Sequence, residues 1–229
     1  SIYIMRKVLF ILFLFCLLPI SLDAQVMRAE ELENYAKEKY GDKWTEAAEN
    51  LGKELSLDKN NSLSYSQVIE AEGKTKDELY VALNYWFTAT FNDANSVIKL
   101  NDKEVGSIIA EGLVSNIASH AGGLSSYDVS IRPIIKVDIR EGRIRVTYTI
   151  QYYDISKGTG IIAAMGGGHT KLGNEKWTLE ECFPFTEKDK HKKASSKALV
   201  MAHAYSNVIM DKIEEAVKNG LVGNEDEDW

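Results

Sequence analysis

The sequence predicts an α+β protein in which two long helices cover one face of an antiparallel sheet of about five strands. Three observations predict this. Residues 129–139 and 144–152 alternate apolar and polar side chains, the period of a strand with one buried face. Thr75-Lys76-Asp77-Glu78 has the form of a capping box, with Leu79, Leu83, Trp86 and Phe87 at core spacing behind it. Ala198, Met201, Ala202, Tyr205, Ile209, Ile213 and Ala216 form a second helical stripe near the end of the chain. One-sided strands and helices of this kind pack as two layers.

The first element is an address rather than a fold. Met5, Arg6 and Lys7 precede an apolar run, residues 8–18, and then Pro19 to Ala24 in the order of a signal peptide, with residues 1–4 read as upstream sequence. The run is about ten residues, and a bilayer requires about twenty in a helix, so no stable membrane insertion is expected once it is cleaved. Cys16 lacks the small residues that a lipidation site places before its cysteine. The chain is therefore expected to be exported, to the periplasm or beyond. Residues 1–24 are the signal-peptide region, 25–62 a charged helical segment, 63–222 the α+β domain, and 223–229 an acidic tail.

In the charged segment, Leu32, Tyr35, Ala36 and Tyr40, then Trp44, Ala47, Ala48, Leu51 and Leu55, predict two short amphipathic helices broken near Gly41-Asp42. Strands are expected over 64–71, 96–101 and 107–115, with the capped helix between the first two. Phe91 closes that helix before Asn92-Asp93. A two-residue turn at Glu141-Gly142 pairs Arg140 with Arg143, Ile139 with Ile144, Val137 with Val146, Ile135 with Tyr148 and Ile131 with Tyr152. A slip of one residue would turn every apolar side chain outward. Pro133, lacking an amide, belongs at an edge or bulge. Residues 157–174 read as a glycine-rich loop, 188–193 as a mostly basic lead into the last helix, and Asn219-Gly220 as its stop.

Gly73-Lys74-Thr75-Lys76-Asp77-Glu78-Leu79-Tyr80, Trp86-Phe87, Phe91 and the Asp102-Lys103-Glu104 turn before a strand containing Gly112 resemble a family of secreted bacterial proteins, a domain of unknown function with a TBP-like fold. The resemblance covers about residues 64–154. It implies a curved antiparallel sheet backed by helices, and it brings no functional residue with it. The TATA-binding protein bends DNA on such a sheet, but fold does not transmit function.

Charge argues against a nucleic-acid partner. The chain carries 27 basic and 34 acidic residues, whereas nucleic-acid affinity comes mostly from cations that neutralise phosphates. Loss of Arg6, Lys7 and Asp23 with the leader makes the body more acidic by one charge. Cys182 is then the sole cysteine, so no intramolecular disulfide is expected, and between Glu181 and Phe183 it reads as a small buried hydrophobe. His120, His169, His191 and His203 lack metal-ligand spacing, so no metal or other cofactor is expected. The glycines before His169 lack the Lys-Ser/Thr pair of a phosphate loop, and no Gly-x-Ser-x-Gly elbow occurs.

The candidate site is the polar face of the hairpin: Arg132, Lys136, Arg140, Arg143 and Arg145, with Asp138 opposite Arg145. Like charges opposed at a turn are destabilising, which favours a bound anion. The function expected is a non-enzymatic binding or envelope-assembly module. Its partner, a protein or an anionic polymer, would bind the exposed sheet face or the glycine-rich loop. The alternative is a small hydrolase acting on envelope or extracellular polymers, marked by a cleft with two carboxyls of perturbed pKa.

Overall fold

A computed structural model describes residues 26–91, 97–160 and 171–219. Two short helices, α1 (Ala29–Tyr40) and α2 (Trp44–Glu54), lead into β1 (Leu63–Glu70) and α3 (Lys76–Thr90). Then come β2 (Ile98–Asp102), β3 (Ser107–Glu111), β4 (Val114–Ala121), β5 (Ser125–Ile131), β6 (Ile134–Arg140) and β7 (Arg143–Ile150). β8 (Tyr152–Thr159), β9 (Lys171–Thr178) and the long α4 (Lys192–Asn219) complete the order. The Thr75 hydroxyl accepts the Glu78 amide at 3.2 Å and the Thr75 amide donates back to the Glu78 carboxylate at 2.7 Å, which starts α3 where the capping box places it.

The expected sheet of about five strands is two sheets, β1-β7-β6-β3-β2 and β4-β5-β8-β9. Three runs that alternation joins into single strands are broken where they cross between the sheets. β3 passes into β4 at Gly112-Leu113, β5 into β6 at Arg132-Pro133, and β7 into β8 at Gln151. The Gly112 amide donates to the Pro133 carbonyl at 2.9 Å, so hydrogen bonding carries on across the bend. The bend also moves the register: Ile131 pairs with Tyr153, not with Tyr152, and Tyr153 is the buried tyrosine.

Short of the bend the hairpin register is as predicted, Arg140 with Arg143, Ile139 with Ile144, Val137 with Val146 and Ile135 with Tyr148. Ile135 and Tyr148 are fully buried. The Tyr148 ring lies 6.2 Å from that of Tyr65, which in turn lies 5.2 Å from His203 of α4, so this face looks toward the helices. α1 and α2 belong to the same core, since Leu32, Ala36, Ala47, Ala48 and Leu51 are buried in one cluster with α4. The alanines let helix backbones approach closely, and each buried leucine contributes about 2 kcal/mol by leaving water.

The glycine-rich stretch 157–174 is not a loop throughout. Lys157 pairs with Gly173 and Gly158 with Lys171, extending the β8–β9 ladder. A Cβ at Gly160 would stand 2.4 Å from the Gly122 carbonyl oxygen and 2.5 Å from the Ser125 nitrogen, so only glycine fits that backbone crossing. Met165 and His169 lie outside the described residues, as do residues 5–24 and 223–229. Among the described residues, no helix is long and apolar enough to cross a membrane.

Candidate anion-binding face

The five-stranded sheet turns its second face outward, and the pairing puts its side chains in rows. Ser64 stands beside Thr149 and Ile134, and Ser66 beside Thr147 and Lys136. Val68 adjoins Arg145 and Asp138, and Glu70 adjoins Arg143 and Arg140. Hydroxyls therefore occupy one end: Ser64 Oγ lies 3.1 Å from Thr149 Oγ1. Arginines occupy the other, around an open depression of about 220 Å³ lined by Val68, Asp138, Arg140, Arg143, Ile144 and Arg145.

The five predicted cations divide by their partners. Arg132 lies in the connection between β5 and β6, apart from the other four, and its Nε is 2.7 Å from Asp154 Oδ2 of β8. That hydrogen bond, aided by the carboxylate charge, raises the pKa of Arg132 despite partial burial. Lys136 Nζ is 2.9 Å from Asp138 Oδ1, and an Arg145 terminal nitrogen is 2.9 Å from Asp138 Oδ2. Burial works to raise the pKa of Asp138, but hydrogen bonds from Lys136 and Arg145 and the two cationic charges hold it below the ordinary carboxylate value. Arg140 and Arg143 oppose each other across the turn, and neither makes an ion pair among the described residues. A like-charged pair at a directly opposed position costs stability unless an anion lies between its members.

The turn that carries this pair is held from behind. The Gly142 amide donates to the Lys74 carbonyl at 2.9 Å, and the Ala71 amide donates to the Gly142 carbonyl at 2.8 Å. Glu141 accepts the Lys76 amide at 3.1 Å, in the first turn of α3. At the neighbouring turn, Gly106 has φ of +75° and its carbonyl accepts the Ile139 amide at 2.7 Å. A Cβ at Gly106 would meet the Ile139 carbonyl oxygen at 2.7 Å, so this support also requires glycine. The arginines thus stand on a hairpin fixed at several points, which limits the ordering cost of binding.

Other candidates are engaged in structure. Cys182 is buried, and its thiol pKa is pushed up to about 12, by burial first and then by the charges of Asp189 and Glu181. His203 Nδ1 is 3.0 Å from the Tyr65 hydroxyl, inside a box of Tyr40 and Tyr65 rings. A groove of about 470 Å³ runs between α1, β4 and α4, where Glu33 joins Lys37 and Lys197 at 2.7 and 2.8 Å, so both of its lysines are already paired. Sequence reasoning missed Val68 and Glu70, which β1 brings in from far along the chain. It also missed a half-buried cluster in which His191 stacks on Trp177 at 4.5 Å with Tyr127 alongside.

Residues 65–153 match the model of the family described as a domain of unknown function (DUF4468) with TBP-like fold. The matched segment contains α3, the strands from Tyr65 through β7 and the arginine hairpin. Among solved structures, the chain is similar to a TBP-like protein from Parabacteroides distasonis ATCC 8503. That likeness is 14% in identity with a TM-score of 0.48, and covers 70% of this chain and 95% of that one. It is also similar to a DUF4468 family protein from Bacteroides ovatus ATCC 8483, with 16% identity, a TM-score of 0.47 and coverage of 71% and 90%. The comparison with curated proteins gives no match.

Proposed function

We propose, for a chain whose residues 65–153 match the model of the DUF4468 family with TBP-like fold, that it is an exported, non-enzymatic binding module. Its outer sheet face captures a partner presenting a run of carboxylates, either an acidic polymer or an acidic protein segment. The observation that carries this reading is the opposed pair Arg140 and Arg143, unpaired among the described residues on a rigid hairpin beside a depression floored by Val68. An arginine donates two parallel hydrogen bonds to a carboxylate, and two arginines with Arg145 nearby give such a run its register.

The carboxyls with clear shifts among the described residues do not form the pair that the hydrolase alternative requires. Hydrolysis by paired carboxyls needs an acid held protonated by a raised pKa. Among the described residues, every carboxyl with a clear shift is lowered: Glu33, Asp58, Glu78, Asp138 and Glu214. The overall negative charge repels a polyanion at long range, so capture rests on the local arginines rather than on the molecule's mean field.

The test is fluorescence anisotropy with a labelled hexaglutamate peptide at low and high salt. Wild type binds it, and binding weakens as salt rises. Arg140→Glu with Arg143→Glu weakens binding at least tenfold while the melting temperature stays within a few degrees. Equal affinity for wild type and the double variant would refute the reading.

A further inference from the structure

The outer sheet face changes its chemistry along the strands, and the change narrows the class of partner. Along β1 and β7 the paired residues run Glu70 with Arg143, Val68 with Arg145, Ser66 with Thr147 and Ser64 with Thr149. From Arg143 to Thr149 on β7 is about 20 Å, at about 3.3 Å per residue. Among the described residues of this strip, hydroxyls and no cation follow Arg145. Lys136, opposite Thr147 on β6, is held by Asp138 at 2.9 Å.

The hydroxyl end is short of donors. Ser64 Oγ donates its single proton to Asp58 Oδ2 at 3.2 Å, so in its 3.1 Å contact with Thr149 Oγ1 the threonine is the donor. Both protons are spent inside the protein, and the two oxygens offer a ligand only lone pairs. Ser66 Oγ and Thr147 Oγ1, 3.5 Å apart, share one further bond and keep one proton between them. A carboxylate has only acceptors, so it meets lone pairs here and gains little. A sugar hydroxyl donates and accepts at once, and it suits both pairs. Ser64 and Ser66 are exposed, so a ligand lying on the sheet reaches them. Val68, 54% exposed between the two ends, gives the C–H face of a sugar ring an apolar surface to cover.

We propose that the partner is an acidic polysaccharide in which uronate alternates with neutral, hydroxylated sugars. A uronate carboxylate sits on Arg140 and Arg143, and the sugars beyond it lie along β1 and β7 with their hydroxyls donating to Ser64, Ser66, Thr147 and Thr149. The arginines supply strength and direction, and the hydroxyl ladder separates a sugar chain from an acidic peptide. This rests on the reading of the arginine face as an anion site.

The test is titration calorimetry with a hyaluronan hexasaccharide, which alternates glucuronate with N-acetylglucosamine, beside the hexaglutamate assay. Wild type should bind the hexasaccharide. Thr147→Val with Thr149→Val should weaken that binding about fivefold or more, the order of a lost hydrogen bond, and leave hexaglutamate affinity unchanged. Thr147→Ser with Thr149→Ser keeps the hydroxyls and should bind the hexasaccharide as wild type does. Equal hexasaccharide affinity in wild type and the valine variant would overturn the proposal. So would a serine variant as weak as the valine one, or a valine variant that loses both ligands alike, because the threonines would then only support the sheet. Hexaglutamate binding without hexasaccharide binding would overturn it and leave the arginine site standing with an acidic protein segment as partner. Failure of wild type to bind either ligand would remove the arginine reading as well.

Discussion

His203 gives the molecule a pH dependence that can be assigned to one side chain. Burial, and secondarily the positive charge of Lys39, lower its pKa from 6.5 to about 4. The unfolded chain therefore binds a proton that the folded chain refuses, so the stability contribution is complete above pH 6.5 and is lost as pH falls toward 4. The interval corresponds to about 3 kcal/mol at its lower end. Glu33 and Asp138, with lowered pKa values, also lose stability in acid, but below the ordinary carboxylate range. Urea denaturation at pH 7 and pH 5 should then show a drop in wild type that His203→Gln largely removes. An equal drop in both proteins would assign the dependence elsewhere.

At the scale of elements, the three-strand crossing between the sheets organises everything else. Gly160 sits where β8 ends against the β4–β5 turn, donating to the Leu124 carbonyl at 3.1 Å. The atoms a Cβ would strike there are backbone and cannot move aside cheaply. Gly160→Ala should speed amide exchange in β4, β5 and β8 while leaving β6 and β7 protected; uniform exchange throughout would deny this local role. The β6–β7 hairpin was legible in the sequence because period-two alternation and a two-residue turn admit one register with every apolar side chain inside. The bend was not, because Gly112, Pro133 and Gln151 look like punctuation inside strands rather than a change of sheet. β9 was hidden for a different reason: from Lys171 to Lys176 it is exposed, so no apolar period marks it. Of the candidate site, the opposed arginines and the Asp138–Arg145 pair followed from the local register. Val68 and Glu70 did not, because β1 pairs with β7 across about 80 intervening residues and no local pattern encodes that neighbour.

For the whole molecule, the N-terminal helices and the sheets share α4 as their common wall. Leu32 of α1 is 2% exposed in the same core as Tyr148 of β7. Leu32→Ala should cost about 3 kcal/mol and lower a single cooperative transition, and a separate early transition would show that α1 and α2 unfold alone. The proposed function would rest at this scale on a local basic patch set in an acidic body, carried by a hairpin held at several backbone points. The most direct test is backbone amide shift mapping of the full chain with unlabelled hexaglutamate. Perturbations should concentrate on residues 68–70 and 138–145, with Arg140 and Arg143 among the largest. Perturbations centred on the groove between α1, β4 and α4, with the hairpin unmoved, would contradict it.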